Sequence, residues 1–264
     1  MDKRQNLELI ADISNANGAP GFEDDVVAQI RRHAEGLGEL REDSLRNFYI
    51  YRKENKGNRP VVQLDGHSDE VAFMVQAIRP DGNLRIIPLG GWVTSNVPAH
   101  KVWVRNALGE YIPGIVASKP PHYMTEAERK APLVFENITV DVGAVSKEEA
   151  ENEFHIRIGE PVVPDVTFTY DEKHDLMVGK SFDCRLGCAS IVSTLRELQG
   201  EELAVDVVGA CCSQEEVGTR GSQVTCRTVN PDIAIVFEGC PADDTCVAVS
   251  YTHLRAHETR HDIV

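Results

Sequence analysis

Apolar and polar positions change their texture three times along the chain. From Leu7 to Leu37 the apolar residues recur at helical spacing. Leu7, Ile10 and Ile13 share one face, and Val26, Val27 and Ile30 share another. The breaker cluster Gly18-Ala19-Pro20-Gly21 separates the two predicted helices. The second helix is expected from Glu23 to Leu37, with acidic residues in its first turn and Gly38 as its stop. Asn47 to Arg52 is strand-like, and Val61-Val62-Gln63-Leu64 reads as a short buried strand that delivers His67.

From about Val71 to Asp171 short apolar runs alternate with turn signals such as Pro80-Asp81-Gly82-Asn83, Gly90-Gly91 and Pro120-Pro121. Val102-Trp103-Val104 and Tyr111 to Val116 flank one such turn like the arms of a hairpin, which is the pattern of a small all-β module. Met124 to Ala131 is polar and reads as a mobile loop. Beyond Asp171 the α/β texture returns. Cys184 to Leu198 predicts a helix with Cys188, Ile191, Val192 and Leu195 on one face and Gly200 as its stop. Ala204 to Ala210 and Asp232 to Phe237 predict two further strands. The expected architecture is an α/β domain, residues 1–70 and 172–249, interrupted by a β-rich, barrel-like insertion at 71–171.

Charge narrows the partners. The 264 residues carry a net charge of −15, and no basic stripe is visible, which argues against nucleic acid. No apolar run reaches the ~18 residues of a membrane span, so no membrane partner is expected. Met1 to Asn6 is not followed by the apolar stretch of a secretory leader. All seven cysteines lie between Cys184 and Cys246, an odd number in core-like segments, which points to free thiols and a reducing, cytoplasmic setting. Their spacing lacks the paired C-x2-C units of a structural zinc site, so they read as small buried hydrophobes.

The chemistry gathers at strand ends. Glu215-Glu216 follows the buried run Ala204 to Ala210, and carboxylates losing hydration there need a metal, a proton or a cation. His67 offers an imidazole, and Asp69, two residues on, can accept its other ring N–H and raise its basicity as a ligand. Asp183 stands at a helix start, where a cap is the default role, and Arg185 is a nearby pairing candidate. Glu238 ends the last strand, with Asp243 and Asp244 as rivals. Of Glu215 and Glu216, one would bind metal and the other would shuttle a proton. These residue types at strand ends suggest a two-metal hydrolase site. Glycoside hydrolysis by paired carboxylates is the enzyme rival, but only two tryptophans are present and no aromatic platform is evident. A catalytically inactive assembly or binding protein is the non-enzyme rival.

Four segments carry a resemblance: Asn17 to Glu23, Gly66-His67-Ser68-Asp69-Glu70-Val71, Phe182-Asp183-Cys184-Arg185-Leu186-Gly187-Cys188, and Gln214 to Gly221. Residues 5–249 resemble the M42 family of metallo-aminopeptidases. The resemblance implies a zinc-peptidase-like mixed sheet flanked by helices and a β-rich dimerisation domain at 71–171. It also implies two divalent ions, zinc or cobalt, that activate a water for attack on the first bond of short peptides. His67 would then bind one ion, Asp183 bridge both, Glu216 bind one and Glu238 the other. Glu215 would be the general base and Asp69 the residue orienting His67. Relatives of this kind form homo-oligomers, dimers that build large tetrahedral particles. The family has a further histidine ligand beyond Val264, and His253, His257 and His261 lie too close to Glu238 to replace it. The chain is therefore expected to be a fragment with an impaired site. Residues 250–264 resemble translated adapter sequence and are expected to be non-native.

Overall fold

A computed structural model describes residues 2–239. The 250–264 tail, Cys240, Cys246 and the rival acids Asp243 and Asp244 lie outside the described residues.

Helix α1 (Lys3–Asn15) starts at Asp2, which closes a capping box with Gln5. It buries Leu9 and Ile13, while Leu7 and Ile10 are only half-buried, so the inward line is rotated from the one the spacing suggested. Helix α2 (Asp24–His33) has acids in its first turn and Arg31, Arg32 and His33 in its last, the arrangement that suits the helix dipole. It stops short of Leu37 because the chain reverses there. Gly36 takes φ +82°. At Gly38 a Cβ would lie 1.9 Å from the Tyr51 carbonyl oxygen, so only glycine lets the backbone pass. Strand β1 (Gly38–Glu42) follows, pairing antiparallel with β2 (Phe48–Arg52), and β3 (Val61–His67) takes an interior place in the sheet.

Six strands then close into a barrel in the order β4-β5-β8-β7-β6-β9. They are β4 (Ala72–Ile78), β5 (Leu84–Leu89), β6 (Lys101–Arg105), β7 (Tyr111–Ser118), β8 (Ile138–Asp141) and β9 (Pro161–Pro164). The anticipated hairpin is β6–β7, with Val104 opposite Ile112. Phe73, Leu84, Ile86, Val104, Ile138, Val140 and Val162 fill the interior. The segment read as a loop contains helix α3 (Glu126–Lys130) instead. Thr125 accepts from the Glu128 amide at 3.2 Å, and Glu128 accepts from the Thr125 amide at 2.7 Å. This local capping box nucleates a turn that apolar periodicity could not reveal. Helix α4 (Lys147–Asn152) lies between β8 and β9.

A short hairpin, β10 (Thr169–Asp171) and β11 (Leu176–Val178), leads to α5 (Phe182–Glu197), β12 (Asp206–Cys212), α6 (Arg220–Val229) and β13 (Ile233–Val236). The mixed sheet runs β1-β2-β12-β3-β13, and its β12, β3 and β13 are parallel. Helices α1, α2 and α5 cover one face, where Leu9, Ile13, Ile30, Ile191, Val192 and Leu195 pack on Phe48, Ile50, Leu64 and Val207. Helix α6 packs against β12 and β3. The fold is thus α/β with a closed six-stranded barrel. Among the described residues no helix is long and apolar enough to cross a membrane.

Candidate metal centre at the strand ends

Parallel pairing aligns the C-terminal ends of β3, β12 and β13, the edge where α/β sheets place their sites. His67 ends β3 directly beside Cys212, the last residue of β12. The chain after β13 remains attached, since the Phe237 amide donates to the Asp65 carbonyl at 2.8 Å, and Glu238 follows. Asp183, which at a helix start would by default be a cap, takes φ −85° and ψ 110° inside the first turn of α5. Its Oδ1 lies 3.2 Å from His67 Nε2. Arg185 pairs with Glu70 at 3.0 Å.

Three carboxylates converge on one imidazole nitrogen. Around His67 Nε2 stand Asp183 Oδ1 at 3.2 Å, Glu238 Oε1 at 3.7 Å and Glu215 Oε2 at 3.9 Å. On the other side of the ring, Nδ1 faces the Asp69 main-chain oxygen at 3.1 Å and its Oδ1 at 3.4 Å. The main-chain oxygen is thus nearer than the carboxylate that the spacing singled out. The buried Asp69 carboxylate mainly serves the opposite loop. Its Oδ1 accepts from the Glu215 amide at 2.9 Å and its Oδ2 from the Glu216 amide at 3.1 Å. Glu23, fully buried, takes the preceding amide, that of Gln214, at 3.1 Å on Oε1. Two buried carboxylates therefore hold three successive amides of the loop after β12. Glu216 also borders the barrel, for a Cβ at Gly90, which has φ +90°, would lie 3.0 Å from its Oε2.

Electrostatics bear the marks of crowded negative charge. Burial, with the charges of Asp69, Asp183 and Glu215, pushes the Glu216 carboxyl up to about 7. Burial and a hydrogen bond with Asp183 do the same for Glu238, also to about 7. Burial opposes a charge on His67. The hydrogen bond that the ring donates to Asp69 and the charges of Asp69 and Glu238 outweigh it and push the imidazole up to about 10. A site that drives its carboxylates toward protonation and its histidine toward a cation is one that a divalent ion would relieve.

The donor set fits such an ion. Ligand atoms of His67, Asp183, Cys184 and Glu238 all lie within 4.8 Å of one another. Glu216 stands outside that four-donor group. Cys184 is a member that sequence reasoning passed over as a small hydrophobe. Its thiol donates to the Phe237 oxygen at 2.7 Å, and burial pushes its pKa well above the ordinary thiol value. Cys184, Cys188, Cys211 and Cys212 are free and buried, and Cys226 is free and exposed.

Sequence reasoning also missed the buried frame behind the site. Glu70 Oε1 accepts from Lys180 Nζ, Arg185 Nη2 and the Gly18 amide, each at 3.0 Å, and Oε2 from Ser181 Oγ at 2.7 Å. This frame ties the end of α1 and the end of β3 to the start of α5, so Asp183 is placed relative to His67. Its signal was the rarity of buried Lys and Arg, which no single sequence reports.

Comparison with known proteins bears on this arrangement. A profile of the family described as M42 glutamyl aminopeptidase matches residues 47–256. The chain is 36% identical over 240 residues to the Escherichia coli (strain K12) protein FrvX, covering 90% of this chain and 65% of that protein. It is 30% identical over 242 residues to the glutamyl aminopeptidase of Lactococcus lactis subsp. cremoris, covering 90% of this chain and 68% of the other. A crystal structure of the TET aminopeptidase from the marine sediment archaeon Thaumarchaeota archaeon SCGC AB-539-E09 superposes with a TM-score of 0.87 at 36% identity, covering 92% of this chain and 68% of that one. The chain spans about two thirds of the length of these relatives.

Proposed function

The chain belongs to the M42 glutamyl aminopeptidase family, and from that premise we propose that it is part of a metal-dependent aminopeptidase that removes the N-terminal residue from short peptides. The carrying observation is the convergence of Asp183, Glu238 and Glu215 on His67 Nε2 within 3.9 Å, with Asp69 holding the loop that carries Glu215 and Glu216.

In this reading His67, Asp183 and Glu238 would hold one divalent ion, and Glu216 would join Asp183 in holding a second. Zinc or cobalt suits such imidazole and carboxylate donors. Bound ions supply Lewis-acid polarisation of the scissile carbonyl and a more acidic water. Glu215, unassigned to either ion, accepts the proton of the attacking water and returns it to the leaving amine. Asp69 positions His67 on one side and the Glu215–Glu216 backbone on the other.

Residues 1–70 and 172–249 form the catalytic unit in this reading, 71–171 a dimerisation unit, and 250–264 a non-native tail. Val93, Leu108, Ile115, Val134, Val145 and Ile158 are exposed in the 71–171 segment, apolar surface that a dimer through this segment would cover. Free buried thiols favour the cytoplasm.

Replacing Glu215 tests the assignment. Glu215→Gln should lower turnover of aminoacyl amides by about 10²-fold or more while bound zinc per chain stays unchanged. An unchanged rate would remove Glu215 from the mechanism. Loss of metal together with activity would make it a ligand.

A further inference from the structure

The segment Asn17 to Glu23 joins α1 to α2 and is fastened at both ends. At its start Lys180 Nζ donates to Asn17 Oδ1 at 2.8 Å. The Gly18 amide donates to Glu70 Oε1 at 3.0 Å, and the Gly18 carbonyl accepts from the Glu70 amide at 2.9 Å. A turn follows, in which the Phe22 amide donates to the Ala19 carbonyl at 2.8 Å, and Phe22 packs on the cluster of Ala19 with Ala72 and Val163. Glu23 comes next. It stands at the N-cap of α2, but its side chain makes no cap hydrogen bond. Instead its Oε1 accepts from the Gly21 amide at 2.8 Å and from the Gln214 amide at 3.1 Å. Its Oε2 is buried and has no hydrogen-bond partner among the described residues. Burial pushes the carboxyl up to about 7. The nearby buried cations Lys180 and Arg185 pair with Glu70. A side chain kept for stability alone would not leave a buried oxygen unpartnered.

We propose that Glu23 is a positioning residue that sets Glu215 and Glu216 through the Gln214 amide, acting as a hydrogen-bond acceptor. The inference deepens the aminopeptidase reading and rests on it for what the loop does. Four successive amides of this loop end on side-chain oxygens from other segments. Ser213 donates to Asn47 Oδ1 at 2.9 Å, Gln214 to Glu23, and Glu215 and Glu216 to the two oxygens of Asp69. Among them Gln214 has the demanding backbone. Its φ is +53°, a left-handed conformation that a residue with a Cβ adopts only at a cost. The Glu23 acceptor holds that residue, the one directly before Glu215. Without it Gln214 is free to relax toward negative φ, and the Glu215 carboxylate turns from its place 3.9 Å from His67 Nε2.

Two substitutions separate an acceptor from a filler of the core. Glu23→Met keeps the length of the side chain and removes the acceptor, whereas Glu23→Gln keeps one oxygen for both amides. Hydrogen exchange on the metal-free 264-residue chain reads the hold on the loop without turnover. Glu23→Met should speed exchange of the amides at 214–216 about tenfold or more and leave α5 and the barrel unchanged. Glu23→Gln should restore the protection. With zinc added, kcat for aminoacyl amides should fall about 10- to 100-fold in Glu23→Met with KM unchanged, and Glu23→Gln should recover most of it. Should Glu23→Met fail to fold, Glu23→Asp, one methylene too short to reach Gln214, carries the same expectation. Faster exchange spread over the whole chain, or a Gln variant as damaged as the Met one, would overturn the positioning role. So would faster exchange at 214–216 with kcat unchanged. A parent chain that turns over no aminoacyl amide at any zinc concentration would overturn the aminopeptidase reading instead, and the exchange comparison would still decide whether Glu23 holds the loop.

Discussion

Asp69 shows how one buried carboxylate organises a site from behind. Both oxygens are occupied by the amides of Glu215 and Glu216, so the residue acts on the geometry of two acids rather than as a free base. Asp69→Asn keeps the shape but turns one oxygen into an NH2 group facing an amide N–H. We expect metal affinity to fall about 10- to 100-fold, with a rate loss on top, as read by metal titration and steady-state kinetics. Glu70 is the matching case for stability. Burial works against its charge, but Arg185 and Lys180 hold its pKa below the ordinary 4.5. Because the folded value is the lower one, its contribution is fully present above about pH 4.5 and is lost as pH falls through the depressed value. Glu70→Gln leaves two buried cations uncompensated and should cost about 3–5 kcal/mol at neutral pH. The variant should also show a shallower loss of stability in acid, measured by denaturant titrations across pH. An unchanged acid limb would mean that Glu70 is not a source of it.

At the scale of elements, helix caps and strand ends carry most of the information. Thr125→Ala removes one half of a capping box on a helix of five residues, whose own cooperativity is weak. A loss of about 0.5–2 kcal/mol should appear as faster amide exchange confined to 126–130. Uniform exchange across the barrel would show that the cap supports more than its own turn. The hairpin β6–β7 was legible because Val102, Val104 and Ile112 alternate around a turn, and the buried run of β12 because it is short and apolar. Strand β1 was not, since Gly-Glu-Leu-Arg-Glu contains one apolar residue, and its pairing with β2 supplies what its pattern lacks. Helix α3 was missed for a related reason: its evidence lies in polar reciprocity, which hydropathy does not register.

For the whole molecule, the distribution of exposed apolar residues bears on assembly. The barrel segment presents Val93, Leu108, Ile115, Val134, Val145 and Ile158 to solvent, apolar surface that self-association through this segment would cover. Light scattering should report a mass above one chain, and Ile115→Asp or Leu108→Asp should lower it without changing bound metal. A monomer at all concentrations, with both variants indistinguishable from the parent, would reject self-association through the barrel. Among the described residues, Ile233, Ile235 and Val236 of β13 at the sheet edge and Leu176, Met177 and Val178 of β11 are exposed as well. Local pattern was enough to announce an α/β chain with a β insertion and to nominate His67, Asp183, Glu215, Glu216 and Glu238 as polar groups at element ends. These inferences rest on interactions within a few residues, where period and capping are written directly in the chain. Distances between the nominated atoms, the sharing of Asp69 between two amides, the membership of Cys184 and the buried Glu70–Arg185–Lys180 frame depend instead on strand order and register. They join residues more than 100 positions apart, and no local period encodes which distant strand will lie alongside.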